Sequence, residues 1–258
     1  MLKRLLGLIY GVLAYVLFFC TLLYIVGFVG NVFVPRSIDS GPSGSPVTAA
    51  VIDGLLLSVF ALQHSIMARH GFKQQWTRVV SWYMERSTYV VAASLALMLL
   101  LWQWRPIPAV VWDLRSQPFG GFLQITFWIG WTILLISTFL INHFELFGLE
   151  QVWAYFRRGE WNRPSFKTPG LYAVVRHPIY LGFLIAFWSA PAMTVGHLLF
   201  CVAISGYLLV GIHFEERDLI ALYGPAYRDY CERVPMLIPF LKWGRKQEPP
   251  EQIRRTAA

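Results

Sequence analysis

The sequence has few charged residues for its length. Asp, Glu, Lys and Arg make up only 14% of its 258 residues, whereas soluble domains carry about 25%. A chain with so little charge cannot cover its whole surface with groups that face water, which excludes an ordinary soluble enzyme. Hydrophobic residues reach 56% and aromatic residues 16%, which excludes a disordered chain. The composition therefore predicts a polytopic membrane protein.

Cysteine is also scarce, and common catalytic motifs are missing. Cys20, Cys201 and Cys231 are odd in number and contain no Cys-x-x-Cys pair, which argues against a disulfide framework or a zinc site. The histidines are too dispersed to form a convincing ligand set, so we expect no metal. The sequence contains no dinucleotide-binding GxGxxG, phosphate-binding loop, HExxH or nucleophile elbow. Motif spacing alone therefore does not name a reaction.

Long apolar runs dominate the rest of the sequence. About 20 apolar residues are needed to cross a bilayer, so runs near this length predict membrane-spanning helices. Full spans are predicted at Leu5–Val34, Val47–Ala68, Thr88–Trp104 and Phe122–Ile141. Two further runs, Ile179–Ala190 and Met193–Ile212, predict a C-terminal helical hairpin. The predicted fold is an all-α transmembrane bundle with five to six membrane helices and interfacial helices after the hairpin. We expect one domain over residues 1–241 and a disordered cytosolic tail over 242–258.

The basic residues favour one orientation in the membrane. Of the 22 Lys and Arg residues, only Arg36, Arg105 and Arg115 fall in the predicted outer loops. The positive-inside rule therefore predicts that both termini lie in the cytosol. Basic segments beside anionic lipid also account for the net charge of +8, so we expect a lipid bilayer as partner and no nucleic acid.

Polar side chains gather at the predicted inner ends of the helices. They are Gln63, His64, Ser65, Glu85, Arg86, Asn142, His143, Glu145, Arg176, His177, Tyr180, His213, Glu215, Glu216 and Arg217. Charged and imidazole groups near hydrocarbon are costly and commonly functional. The pattern predicts a polar cavity that opens to the cytosol, although His64 could equally be a structural hydrogen-bonding residue and Glu85–Arg86 mere interfacial anchors.

Two sets of motifs resemble known membrane methyltransferases. The run Gly170-Leu171-Tyr172, the run Arg176-His177-Pro178-Ile179-Tyr180 and the later Glu215-Glu216-x-x-Leu219 resemble the isoprenylcysteine carboxyl methyltransferase-like superfamily. The segments Phe60–Arg69, Glu85–Val90 and Ser137–Trp153 resemble the methanethiol S-methyltransferase branch of the related NnrU family. The resemblance implies methyl transfer from S-adenosylmethionine to methanethiol, with dimethyl sulfide and S-adenosylhomocysteine as products and no metal. It also implies a bacterial inner membrane.

The resemblance further implies a cofactor-binding part over about residues 168–240. Its cofactor-binding positions fall on Tyr172, Arg176, His177, Pro178, Tyr180, Leu181, Glu215 and Glu216. Aromatic faces and carboxylates attract a sulfonium cation, which agrees with this assignment. Because Pro178 disfavours helix before it, we also expect the backbone around Val175–Pro178 to be open to the adenine ring.

A thiol is mostly protonated at neutral pH, so its methylation benefits from a base. His143 and His64 are the candidate catalytic bases, Arg86 or Arg217 could stabilise the thiolate, and Asn142 could orient the base or substrate. Two alternatives stay open: an enzyme for another acceptor, such as an isoprenylcysteine or another small thiol, and a non-enzymatic protein of the NnrU type. The oligomeric state also stays open. A proton-coupled transporter is disfavoured because the third and fourth spans lack polar residues at the bilayer midplane.

Overall fold

The computed structural model describes residues 1–42, 44–161 and 165–241. The elements in these ranges are α1 (Leu2–Gly30), α2 (Pro46–Ala68), α3 (His70–Trp76), α4 (Trp82–Gln103), β1 (Val110–Asp113), α5 (Pro118–Ile141), α6 (His143–Leu146), α7 (Leu149–Arg157), α8 (Pro178–Trp188), β2 (Ala192–Thr194), α9 (Val195–Tyr223) and α10 (Pro225–Arg233). A 3-10 turn at Gly170–Ala173 precedes α8. The tail expected to be disordered, 242–258, lies outside the described residues.

Five helices are long and apolar enough to cross a membrane: α1, α2, α4, α5 and α9. A sixth apolar helix, α8, has only 11 residues. These helices expose large apolar side chains along their outer faces, as at Leu13, Leu55 and Ile125, and such a surface suits lipid. The predicted all-α polytopic bundle with five to six membrane helices is therefore confirmed.

Helix α8 packs along α5 at backbone contact distance. A Cβ added to Gly130 on α5 would lie 2.5 Å from the backbone nitrogen of Ala186, and one added to Gly182 on α8 would lie 2.7 Å from the Gly130 oxygen. Small residues allow this close approach between membrane helices. Because α5 fixes α8 in this way, the N-terminus of α8 is held at one end of the bundle, where His177 is the residue before its first turn.

Helix α9 is longer than the predicted span. It runs unbroken to Tyr223, so Glu215 and Glu216 lie in its last turns rather than in a separate interfacial helix. The residues beyond the apolar run are mostly good helix formers, and nothing before Gly224 breaks the helix. Gly224 has φ +58° and ψ −128°, a conformation that glycine adopts readily, and the chain turns there into α10.

A small antiparallel sheet was not expected. Strands β1 and β2 pair in the register Val110↔Thr194, Trp112↔Met193 and Asp113↔Ala192, and they join the connection between α4 and α5 to the one between α8 and α9. The sequence predicts the turn of a helical hairpin at the second of these connections. Such short strands carry no periodicity that the sequence could reveal, because their pairing depends on a distant partner.

The sheet belongs to the end of the bundle that contains Asp53, here called the Asp53 end. Asp53 is completely buried and accepts a hydrogen bond of 2.9 Å from the backbone nitrogen of Arg105. Trp104 Nε1 donates to the Ile38 oxygen at 3.0 Å. A cavity of about 500 Å³ also lies here, lined in part by Asn31, Ser37, Asp39, Arg115, Gln124 and His197.

Candidate functional site

At the opposite end of the bundle, here called the Glu216 end, one carboxylate joins two predicted site residues. Glu216 Oε1 accepts hydrogen bonds from Arg176 Nε at 2.8 Å and from His177 Nε2 at 3.1 Å. The Arg176 and His177 side chains are only 11% and 3% exposed. Residues 40 positions apart in sequence thus form a buried cluster where the start of α8 meets the last turns of α9.

A second carboxylate lies on the other side of the His177 ring. Glu215 Oε2 accepts a hydrogen bond of 2.7 Å from the Tyr180 hydroxyl and lies 3.8 Å from His177 Nδ1. Glu215 itself is exposed. The structure therefore brings Arg176, His177, Tyr180, Glu215 and Glu216 together, as one would need for a single binding site.

Arg176 also holds the segment after α9, a role the sequence analysis missed. Its Nη1 donates to the carbonyl oxygens of Cys231 at 3.0 Å and Val234 at 2.6 Å. These carbonyls belong to the C-terminal end of α10 and the residue after it, where helix carbonyls lack partners of their own. The guanidinium thus ties α10 to Glu216, and its Nη2 donates no hydrogen bond to the residues that the structure describes.

The backbone before α8 differs from the expectation that it would be open to adenine. The amide nitrogens of Arg176 and His177 donate to the oxygens of Pro235 and Met236, and that of Val175 donates to the Leu171 oxygen. Proline has no amide hydrogen, so no amide between Val175 and Pro178 is free. That part of the expectation was wrong, because a segment distant in sequence supplies the acceptors.

The other predicted cofactor-binding residues surround this cluster. The Tyr172 hydroxyl donates to the Ser137 oxygen at 3.3 Å, and the Tyr172 carbonyl accepts from the Tyr230 hydroxyl. Burial raises the pKa of Tyr172, and it raises the pKa of Tyr230 to about 12, so both hydroxyls stay protonated at neutral pH. Pro178 is buried at the first position of α8, and Leu181 is half-buried one turn later.

His64 lies at the same end, clamped between two tyrosines. Its Nε2 is 2.8 Å from the Tyr89 hydroxyl and its Nδ1 is 2.8 Å from the Tyr207 hydroxyl. The guanidinium of Arg86 lies 5.4 Å from the centre of the Tyr89 ring. Tyr207 is on α9, the helix that carries Glu215 and Glu216 in its last turns. Tyr89 and Tyr207 were missed, although Tyr89 lies within the motif Glu85–Val90.

His143 occupies a different neighbourhood, against α1. Its Nε2 is 2.8 Å from the Tyr15 hydroxyl and its Nδ1 is 2.8 Å from Thr138 Oγ1, while its ring stacks on Phe139 with centroids 4.2 Å apart. Burial lowers the pKa of His143 below its ordinary value of 6.5. The side chain is therefore neutral at pH 7, with both ring nitrogens already hydrogen bonded.

Among the described residues, the Asn142 and Arg217 side chains form no hydrogen bond or ion pair with the Glu216 cluster. Asn142 Oδ1 accepts from the backbone nitrogen of Glu145 at 3.4 Å, and its Nδ2 donates to Glu150 Oε1 at 2.8 Å. It therefore caps α6 and secures the start of α7. Arg217 is exposed on α9, next in sequence to Glu216. Arg86 connects α6 with the surroundings of Tyr89, since its Nε donates to the Leu146 oxygen at 2.7 Å and its guanidinium lies near the Tyr89 ring.

Comparison with known proteins places this chain in a family. A family model described as a protein of unknown function (DUF1295) matches residues 50–234. A methanethiol S-methyltransferase of Mycobacterium tuberculosis is 53% identical over 239 residues, which cover 92% of this chain and 98% of that relative. Methanethiol S-methyltransferase 1 of Bradyrhizobium diazoefficiens is 53% identical over 232 residues, covering 90% and 81% of the two chains. The chain belongs to the DUF1295 family and to the methanethiol S-methyltransferase family.

The likeness extends beyond this enzyme family at lower identity. Nurim of Xenopus laevis is 31% identical over 176 residues, which cover 65% of this chain and 61% of that relative. No solved structure matches the chain. The family model matches residues 50–234, so Asp53 and Glu216 both lie within the matched region.

For a methyltransferase family, the Glu216 end offers unused hydrogen-bonding capacity. One oxygen of each carboxylate, Glu215 Oε1 and Glu216 Oε2, accepts no hydrogen bond from the described residues. The Arg176 Nη2 group donates none to them. The arrangement can therefore take a ligand that has both hydroxyl groups and a carboxylate. In the described ranges, no group of three or more His, Cys, Asp or Glu side chains could hold a metal ion.

Proposed function

We propose that the protein transfers a methyl group from S-adenosylmethionine to methanethiol, giving dimethyl sulfide and S-adenosylhomocysteine. The observation that carries the proposal is the 53% identity to the Mycobacterium tuberculosis methanethiol S-methyltransferase over 98% of that relative's length. The charged cluster at the Glu216 end supports the same reaction, because it joins the residues that a cofactor of this kind requires.

The residues at the Glu216 end fit S-adenosylmethionine. When bound, the cofactor supplies a methyl group made electrophilic by a sulfonium cation. Glu215 Oε1 and Glu216 Oε2 would accept hydrogen bonds from ribose hydroxyls, and Arg176 Nη2 would bind the amino acid carboxylate. The Tyr180 ring would lie beside the sulfonium, since aromatic faces attract cations. We place Tyr172, His177, Pro178 and Leu181 in the wall of the same site, within a cofactor-binding part over about residues 168–240.

We infer that His64 rather than His143 serves the thiol. His64 is hydrogen bonded to Tyr207 on α9 and to Tyr89, whose ring centre lies 5.4 Å from the Arg86 guanidinium, whereas His143 is sealed against Tyr15 and the ring of Phe139. The Arg86 guanidinium would lower the pKa of a nearby thiol and stabilise the thiolate. Proximity and alignment of the two reactants would supply much of the remaining acceleration.

The other proposed contributions act from the edges of this site. Arg217 is the second cation proposed for the thiolate, on the exposed side of α9. Asn142 is proposed to act indirectly, because it caps α6 and Arg86 donates to the last carbonyl of that helix. Residues 1–241 would form one domain.

The proposed location is a bacterial inner membrane with both termini in the cytosol. The start of α1 lies at the Glu216 end, since the Arg4 guanidinium is 5.7 Å from the Tyr155 ring. Pro235 and Met236 pair with the backbone of Arg176 and His177 at the same end. Most Lys and Arg residues lie at this end, as the positive-inside rule requires of a cytosolic face.

A direct assay tests the proposal. Membranes that contain the protein are supplied with S-adenosylmethionine and methanethiol, and the headspace is examined for dimethyl sulfide. Product is expected from the unmodified protein, and His177→Ala should lose cofactor affinity in calorimetry. His70→Ala, which changes an exposed histidine on α3, is the matched control and should behave as the unmodified protein. Absence of both product and cofactor binding would contradict the proposal.

A further inference from the structure

The cavity at the Asp53 end has no part in the proposed methyl transfer, yet it has the size of a small-molecule site. Its volume is about 500 Å³, whereas ligand pockets commonly measure about 300–1,000 Å³. Its lining comes from the end of α1 and the loop after it, from the start of α5, and from the segment that joins α8 to α9. We propose that this cavity binds the headgroup of an ethanolamine phospholipid, with the ammonium at Asp39 and His197 and the phosphate at Arg115.

The lining of the cavity carries one acidic and one basic side chain. Among the described residues that line it, Asp39 is the only Asp or Glu and Arg115 is the only Lys or Arg. A ligand of one charge would find an opposite partner in one of these side chains and a like charge in the other. A zwitterion has an opposite partner for both. The lining therefore favours a ligand that carries an ammonium and an anionic group together.

Thr194 connects Asp39 to His197, the two groups that would receive the ammonium. The Thr194 hydroxyl donates to Asp39 Oδ1 at 2.5 Å and accepts from the His197 backbone nitrogen at 3.1 Å. Asp39 Oδ2 accepts a hydrogen bond of 2.7 Å from Asn31 Nδ2. A carboxylate has room for about four hydrogen bonds, so Asp39 can accept further ones from an ammonium group.

The His197 ring has an acceptor that the described part of the protein leaves without a donor. Its Nε2 lies 3.2 Å from the Phe187 carbonyl oxygen, and because a carbonyl only accepts, Nε2 carries the hydrogen. In the neutral ring Nδ1 then has a lone pair. Nδ1 is buried without a hydrogen-bond partner, and a buried acceptor without a donor is costly. Since His197 lines the cavity, an N–H group bound there would supply the missing donor.

These two acceptors distinguish a primary from a quaternary ammonium. A quaternary ammonium, as in choline, has no N–H group and is typically held by a cage of aromatic rings. Among the described lining residues, Phe127 is the single Phe, Tyr or Trp. A primary ammonium has three N–H groups to donate, which Asp39 and His197 can accept. The lining therefore favours ethanolamine over choline.

Arg115 suits the phosphate of the same headgroup. Its Nε and Nη2 donate to the Asp113 carboxylate, and its Nη1 donates no hydrogen bond to the described residues. Arginine N–H groups form strong, charge-assisted hydrogen bonds with phosphate oxygens. Arg115 can therefore bind phosphate through Nη1 while Asp113 holds the rest of the guanidinium.

The surroundings of the cavity favour a lipid over a free headgroup. Phe33, which lies between the lining residues Asn31 and Val34, is 99% exposed, and Phe122, two residues before the lining residue Gln124, is 58% exposed. Both lie at the ends of membrane-length helices, α1 and α5. Exposed aromatic rings at such ends are typical of the headgroup level of a bilayer. Acyl chains beside these rings would keep the headgroup at the cavity.

Native mass spectrometry of the full chain in detergent tests the site with three probes: dioleoyl phosphatidylethanolamine, dioleoyl phosphatidylcholine and free phosphoethanolamine. The unmodified protein should bind the ethanolamine lipid about tenfold more tightly than the choline lipid, since only the former donates charge-assisted hydrogen bonds. Free phosphoethanolamine should bind far more weakly, because it has no acyl chains. The ethanolamine lipid should also raise the temperature of unfolding, since it binds the folded protein.

Three variants assign the two halves of the headgroup. Asp39→Asn should remove the preference for the ethanolamine lipid and leave affinity for the choline lipid unchanged. Arg115→Gln should weaken both lipids about tenfold, because both contain phosphate. Arg105→Gln is the matched control, since it removes the same charge from the same end but lies outside the cavity lining, and it should match the unmodified protein.

Equal affinity of the unmodified protein for the two lipids, or a preference that survives in Asp39→Asn, would overturn the proposal. Free phosphoethanolamine that binds as tightly as the lipid would overturn a lipid as the occupant. If Asp39→Asn does not fold, Arg115→Gln decides, because unchanged affinity for both lipids would then overturn the site. None of these measurements needs turnover, so their outcome is independent of the proposed function.

Discussion

The two ends of the bundle both bury polar side chains, but they pair them differently. At the Asp53 end, three side chains bond to backbone, Asp53 to the Arg105 nitrogen, Trp104 to the Ile38 oxygen and Trp112 to the Ala190 oxygen, while Asp39 accepts hydrogen bonds from the side chains of Asn31 and Thr194. At the Glu216 end, ionisable side chains from different helices bond to one another, as Glu216 does with Arg176 and His177.

The difference separates a structural end from a candidate site. A side chain that bonds to the backbone fixes a connection between helices, as Asp53 does with the Arg105 nitrogen. Carboxylates, guanidinium groups and imidazoles have more hydrogen-bonding capacity than their protein partners use, so they can also bind a ligand. We therefore expect substitutions at the Glu216 end to alter binding or turnover, and substitutions at the Asp53 end to alter stability.

The largest effect is expected from Glu216→Ala. The change removes the shared acceptor of Arg176 and His177 and leaves a buried charge without its partner, which costs about 3 kcal/mol. If that energy is lost from cofactor binding, affinity for S-adenosylmethionine falls about 100-fold, as measured by calorimetry. Glu216→Gln, which keeps one acceptor oxygen, should lose less. Unchanged affinity in both variants would remove Glu216 from the site.

Asp53→Ala tests the other end of the comparison. The completely buried carboxylate accepts from the Arg105 nitrogen, so its loss should cost about 2 kcal/mol of the free energy of unfolding. Thermal unfolding should occur at lower temperature, while the folded variant keeps its cofactor affinity. Asp113→Ala, an exposed aspartate of β1 paired with Arg115, is the control and should change little. A reduced cofactor affinity in Asp53→Ala would contradict the division between the two ends.

Tyr180→Phe should have a smaller effect at the Glu216 end. It removes one hydrogen bond to the exposed Glu215 carboxylate, which is typically about 1 kcal/mol, and it keeps the aromatic ring. Cofactor affinity should fall by no more than about tenfold in a calorimetric titration. A loss as large as that of Glu216→Ala would mean that the hydroxyl itself contacts the ligand.

The smallest effect concerns His143 and pH. Burial lowers its pKa in the folded state, so below about pH 6.5 the unfolded chain takes up a proton that the folded chain does not. His143 should therefore lower stability as the pH falls from 6.5 toward its depressed folded pKa, and leave it unaffected above pH 7. His143→Gln should flatten the acid side of a plot of thermal midpoint against pH. An identical acid side would show that this histidine is not the group responsible.

Much of the architecture was readable from the sequence, because apolar runs of membrane length specify helices by themselves. The residues of the Glu216 cluster were also readable, through motifs such as Arg176-His177-Pro178 and Glu215-Glu216. The sequence did not reveal that Arg176 binds the carbonyl oxygens of Cys231 and Val234, because side-chain to backbone contacts leave no pattern. Nor did it separate His64 from His143, since each simply follows or ends an apolar run.

The sequence by itself determined that this chain spans a membrane, which helices do so, and which polar groups lie at one end of them. Those features depend on local hydropathy and charge, which each segment carries independently of its neighbours. Only the tertiary structure decided that α5 holds α8 through Gly130 and Gly182, that β1 pairs with β2, and that His64 lies between Tyr89 and Tyr207. Each of these three contacts joins segments that are distant in sequence. Which distant segments meet is decided by how the helices pack together, and local sequence does not encode it.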